Sequence, residues 1–148
     1  MRESKEPEAA THIPIEITKN SKGDFVLEGH VARANPQWKT LEQADEVLTI
    51  INGAHAYISP CWYDEPHSTV PTCMTVHVYG KARLIADAAE LGEHLLKLVE
   101  RYEHQTGYDL TRVPAATMTN LTQGEVGFKI LATRGLEILG ASLVQLAR

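Results

Sequence analysis

The residues best suited to chemistry crowd into one stretch, from His30 to Arg83. It holds both Trp, four of the seven His and three of the five Tyr of a 148-residue chain. Rings interleaved with polar hydrogen-bonding groups suit the wall of a small-molecule pocket, where aromatic surface takes the ligand body and a few polar atoms orient it. The competing reading is a β-rich core with Tyr and Trp at its rim. His30, His55 and His77 lie on different strand candidates, so three imidazoles could converge on a metal. No His-x-His or His-Glu-x-x-His spacing supports such a site, and lone structural histidines are the better account of the pattern. His12, His67, His94 and His104 read as exposed or loop residues. Cys61 and Cys73 form no Cys-x-x-Cys pair and sit at no elbow or helix start, which favours inert thiols over a nucleophile. Neither a glycine-rich phosphate loop nor a helix-turn-helix pattern is present.

These side chains need strands to position them. Thr11 to Thr18 alternates, with Ile13, Ile15 and Ile17 inward, and Phe25 to Val31 returns after the turn cluster at 19–24, which predicts a hairpin. Asn35-Pro36 opens a short helix carrying Trp38 and Leu41 on one face. Glu46 to Asn52 reads as a central strand. Gly53 breaks it, and Ala54 to Ser59 is expected to return as a hairpin partner. Residues 60–71 read as loop. Met74 to Ile85 is the longest strand candidate, with Val76, Val78 and Gly80 on one face and Thr75, His77, Tyr79 and Lys81 on the other. Gly80 in mid-strand points to a bulge or a close backbone approach. Asp87 to His104 is a helix capped by Asp87, its buried stripe running through Ala88, Leu91, Leu95, Leu98 or Val99, and Tyr102. A short helix from Pro114 to Leu121, a strand from Glu125 to Thr133 and a weakly amphipathic helix from Gly135 to Arg148 complete the expectation. Six strands with helices outside them describe a small mixed barrel.

Length implies a single domain over residues 1–148, with 1–8 frayed and 135–148 an atypical tail. Apolar content of 43% and charged content of 22% are ordinary for a globular protein. A net charge of −5 disfavours a duplex-binding surface, which needs a basic face to neutralise phosphates. No apolar leader or membrane-length run is visible, so a soluble, cytoplasmic protein without membrane association is expected.

The segments His30–Trp38, His55–Tyr63, Val70-Pro71-Thr72 and Thr75–Ile85 resemble the signature of the PaiB-type FMN-binding negative transcriptional regulators. The similarity spans roughly residues 9 to 131, and four ordered motifs are far more specific than one. The resemblance implies a mainly β (α+β) fold, a six-stranded split β-barrel of the FMN-binding split-barrel type with flanking helices. The family's first strand has no counterpart before Ala10, which would leave a barrel edge unpaired. The resemblance also implies FMN held at a homodimer interface. Carried over by position, His30, Arg33, Asn35, Ser59, Thr72, His77 and Lys81 are the polar contacts, with Arg33 suited to grip phosphate as a fork. Trp62 and Tyr63 would wall the flavin ring. The implied role is negative regulation of transcription, exerted through flavin or a protein partner rather than direct DNA contact. A flavin-dependent oxidoreductase using the same pocket, or a family member that has lost the flavin, are the alternatives.

Overall fold

The computed structural model describes residues 10–55, 59, 61, 73–107, 112–139 and 142–145. Six strands form one antiparallel sheet. They are β1 (Glu16–Lys19), β2 (Phe25–Ala32), β3 (Val47–His55), β4 (Cys73–Leu84), β5 (Glu125–Leu139) and β6 (Ser142–Gln145). The path across the sheet is β1-β2-β5-β4-β3, and β6 pairs with the far end of β5. The architecture is a mainly β half-barrel with helices α1 (Gln37–Gln43), α2 (Ala88–Glu103) and α3 (Ala115–Gly124).

Local chemistry closes the first hairpin. The Asn20 side chain accepts from the backbone N–H of Lys22 and Asp24, and Gly23 takes the positive φ of 88° that the turn requires. Alternation then fills the interior. Leu27, Val31, Ala82, Val126, Phe128 and Ile130 are buried together, with Ile13, Ile15, Trp38, Leu41, Val47, Ile51 and Val78 packed around them. The intervening residues of each strand point outward. A second cluster, Ile85, Leu91 and Leu95, forms where α2 lies on the outer face. Asp87 caps α2 by accepting from the N–H of Ala89, whereas Glu90 turns to Arg83 and Lys129 instead of closing a capping box.

Three expectations give way. No hairpin forms at Gly53: β3 runs through to His55, with an irregularity between Asn52 and His55, and pairs with β4. The twelve-residue β4 offers a long ladder that outweighs a tight turn lacking the residues primed turns need. The tail is strand, not helix. β5 continues to Leu139 against Met74–Val78, and β6 returns along it. Gly135 and Gly140 each cost a helix about 1 kcal/mol relative to alanine, and the propensities of the other residues differ by only a few tenths, so an open strand edge overrides the helical pattern. On α2, His94 is 3% exposed while Tyr102 is 59% exposed. The helix leans on a part of the sheet that carries polar groups, and its buried side follows them.

Candidate functional site

The outer face of the sheet divides into a covered half and an open half. Under α2 lie Glu28 and His30 of β2 and Lys129 of β5. Lys129 Nζ bridges Glu28 at 2.9 Å and Glu90 at 3.0 Å, and Arg101 pairs with Glu16. His30 Nδ1 lies 3.2 Å from His94 Nε2, with the rings edge to face, and His94 Nδ1 looks toward Glu28 at 3.8 Å. The arrangement satisfying all three groups puts a proton on His94 Nδ1 and lets Nε2 accept from His30. The Lys129 hydrogen bond, joined by Arg83, holds the Glu90 carboxyl below its usual range. Glu28 and Glu90 hold the Lys129 ammonium above its own, despite burial.

Burial, with the neighbouring His30 second, lowers the His94 pKa from the ordinary 6.5, against the opposing pull of Glu28. A depressed histidine means that the unfolded chain takes up the proton first. Stability is therefore full above the ordinary histidine range and falls as pH drops through 6.5 toward the lower native value. His94→Leu should flatten that acid limb, as read from melting temperature at successive pH values. An equally steep limb in the variant would remove His94 as its source.

Arg33 and Asn35 sit at the turn after β2. The Arg33 guanidinium donates to the carbonyls of Gln123 at 2.8 Å and Glu125 at 3.1 Å, tying the end of α3 to the start of β5. Asn35 accepts from the N–H of Gln37 at the mouth of α1 and donates to Thr11. The open half of the face lies elsewhere. Tyr79 and His77 of β4 stand opposite Leu48 and Ile50 of β3, and Lys81 stands opposite Leu131 of β5. Leu48, Ile50 and Leu131 are 47%, 52% and 44% exposed. Arg134 stacks on Tyr79 at 3.6 Å and pairs with Glu46 at 2.9 Å. Lys81 is exposed and has no ion-pair partner among the described residues.

The sequence-predicted residues therefore fall into two groups. His30 stands opposite Gly127 and His77 opposite Leu136, nine positions apart on β5. That is roughly 30 Å at strand rise, which separates His30, Arg33 and Asn35 from His77; Lys81, opposite Leu131, lies between them, about 13 Å along β5 from His30. Ser59 accepts from the N–H of Cys61. Trp62, Tyr63 and Thr72 lie outside the described residues. Tyr79, Leu48, Ile50 and Arg134 complete the open face. The period-two alternation of β4 marked Tyr79 as sharing a face with His77 and Lys81, whereas the continuously apolar run of β3 read as a central strand and did not mark Leu48 and Ile50 as outward.

A cleft of about 660 Å³ opens along β3, between that strand and residues 10–17, and is bordered by Leu48 and Ile50 as well. Ile13, Ile15, Leu41, Phe128 and Ile130 line it, and no Lys, Arg, Asp or Glu does. A phosphate would find no ammonium or guanidinium there.

A curled antiparallel sheet with flanking helices and an open outer face is the architecture of a mainly β split barrel. Residues 2–134 match the family described as "Putative FMN-binding domain". The chain belongs to this family of PaiB-type FMN-binding domains, and FMN is its cofactor. It is 36% identical to Protease synthase and sporulation protein PAI 2 of Bacillus subtilis over 124 residues, covering 82% of this chain and 58% of that one. It is also 36% identical to the uncharacterized protein YKL070W of Saccharomyces cerevisiae over 53% of this chain and 49% of the other. The chain thus spans about half the length of these relatives. The flavocytochrome Anf3 of Azotobacter vinelandii superposes with a TM-score of 0.49 at 19% identity, over 91% of this chain and 57% of that one. No described helix is long and apolar enough to cross a membrane.

Proposed function

We propose that FMN binds on the open face of β3, β4 and β5, between two copies of the chain, and that the flavin-loaded dimer is a negative regulator of transcription. The observation that carries this reading is the juxtaposition of exposed Leu48, Ile50 and Leu131 with the uncommitted Lys81 ammonium. FMN needs apolar surface for its ring system and a cation for its phosphate, and this face supplies both where the cleft supplies neither cation nor guanidinium. Lys81 holds the phosphate, Tyr79 and the aliphatic residues bear on the ring, and His77 is placed to donate to a ring heteroatom. A second copy excludes water from the apolar residues left bare on a lone subunit. When bound, the flavin supplies electron and hydride transfer chemistry. A net charge of −5 makes regulation through flavin state or a protein partner a better fit than duplex binding.

The test is a titration with FMN followed by flavin fluorescence, alongside sedimentation. Lys81→Ala should weaken FMN binding roughly tenfold, the loss of one charged phosphate contact. Ile50→Glu should yield monomers that no longer retain flavin. Unchanged affinity in Lys81→Ala moves the phosphate off this face. Catalytic bleaching of the bound flavin by a nicotinamide donor, with turnover, replaces the regulator with an oxidoreductase.

A further inference from the structure

We propose that the cleft between residues 10–17 and β3 is a strand-acceptor site. It takes an extended, uncharged segment of another polypeptide, about six residues long, as an added β-strand. Two edges flank the cleft. Among the described residues β1 pairs only with β2 and β3 only with β4, so each turns an unpaired row of backbone N–H and C=O groups toward the gap. Residues 11–15 lead into β1 without a ladder of their own. The β3 edge from Val47 to Asn52 carries none of the devices that usually blunt an edge, being free of Lys, Pro and any charge.

The walls and floor name the occupant. Ile15, Leu41, Phe128 and Ile130 form an apolar floor, which asks for an apolar side chain at every second position of the incoming segment. The absence of Lys, Arg, Asp and Glu from the lining disfavours a charged segment and a phosphate-bearing ligand alike, because neither would recover its desolvation cost. A strand satisfies both edges at once, whereas a compact apolar ligand would leave the backbone rows unpaired. Six residues of β3 span about 20 Å, which sets the length. This site adjoins the open outer face along β3, where Leu48 and Ile50 border both, and it involves no flavin.

The experiment is fluorescence anisotropy of a dye-labelled, uncharged Thr-Val-Thr-Val-Thr-Val peptide, blocked at both ends and titrated with the full chain, without FMN. The proposal expects saturable binding. N-methylation at alternate peptide bonds along one edge should weaken it roughly tenfold by removing ladder donors. Ile17 lines the cleft and is 46% exposed, so Ile17→Lys should fold, as checked by circular dichroism, and bind at least about tenfold more weakly. Absence of binding overturns the proposal, as does equal affinity for the methylated peptide, which is independent of any variant. Self-association through this edge overturns it too, and would show as peptide-insensitive dimers that Ile17→Lys converts to monomers.

Discussion

Replacing Gly80 by valine should cost the fold about 3 kcal/mol or more, the range of severe overpacking against backbone. An added Cβ would stand 2.7 Å from Ile130 Cγ2, 2.9 Å from the carbonyl carbon of Leu131, and closer still to its oxygen. Side-chain ends can rotate away; a neighbouring strand's backbone cannot. The cause is space and not backbone conformation, since positive φ is confined to Gly23 and Gly107 among the described glycines. The register between β4 and β5 shifts at this point, where Tyr79 stands opposite Arg134 and Gly80 opposite Ala132. Pushing the strands apart here would therefore also misplace Tyr79, Lys81 and Arg134 on the open face. Urea unfolding reads the stability loss, and FMN titration of the surviving folded fraction reads the site. A Gly80→Val protein as stable as the parent would show that the close approach is not real.

Phe128→Ala should destabilise by about 3–5 kcal/mol, the range for deleting a buried aromatic ring. Phe128 is 3% exposed, and its ring tip rests on the bare backbone of Gly29, where a Cβ would lie 2.9 Å away. The ring joins β5 to β2 and to the Ile13 and Ile15 side chains beneath them, so its loss empties the centre of the half-barrel. Because it also lines the cleft, partial hydration places the effect toward the lower end, while Phe128→Leu should cost clearly less. Chemical denaturation with both variants tests the ordering. A loss under about 1 kcal/mol for alanine would mean that the interior is not organised around this ring.

Much of the site's frame was legible in the residues. The alternation from Met74 to Ile85 placed His77, Tyr79 and Lys81 on one face and Gly80 on the other, and the Asp87 cap marked the start of α2. Alternation says which side a residue takes but not what stands opposite. His94 illustrates the limit: its helical position is compatible with solvent, yet Glu28, His30 and Lys129, distant in sequence, make its burial tolerable. Arg33 is a second case. A guanidinium after a strand suits a phosphate, and nothing local announces that the carbonyls of Gln123 and Glu125, ninety residues on, will engage it.

Sequence alone determined the periodicities, the turn at Gly23, the helix cap and the family motifs, because each depends on residues within a few positions of one another. The tertiary structure decided strand order, the conversion of the tail into β5 and β6, the separation of His30 and Arg33 from His77, and the gap beside β3. Those outcomes are set by which backbone edges meet, and hydrogen-bonding edges are nearly identical from one strand to the next. Only packing of the whole chain selects among them.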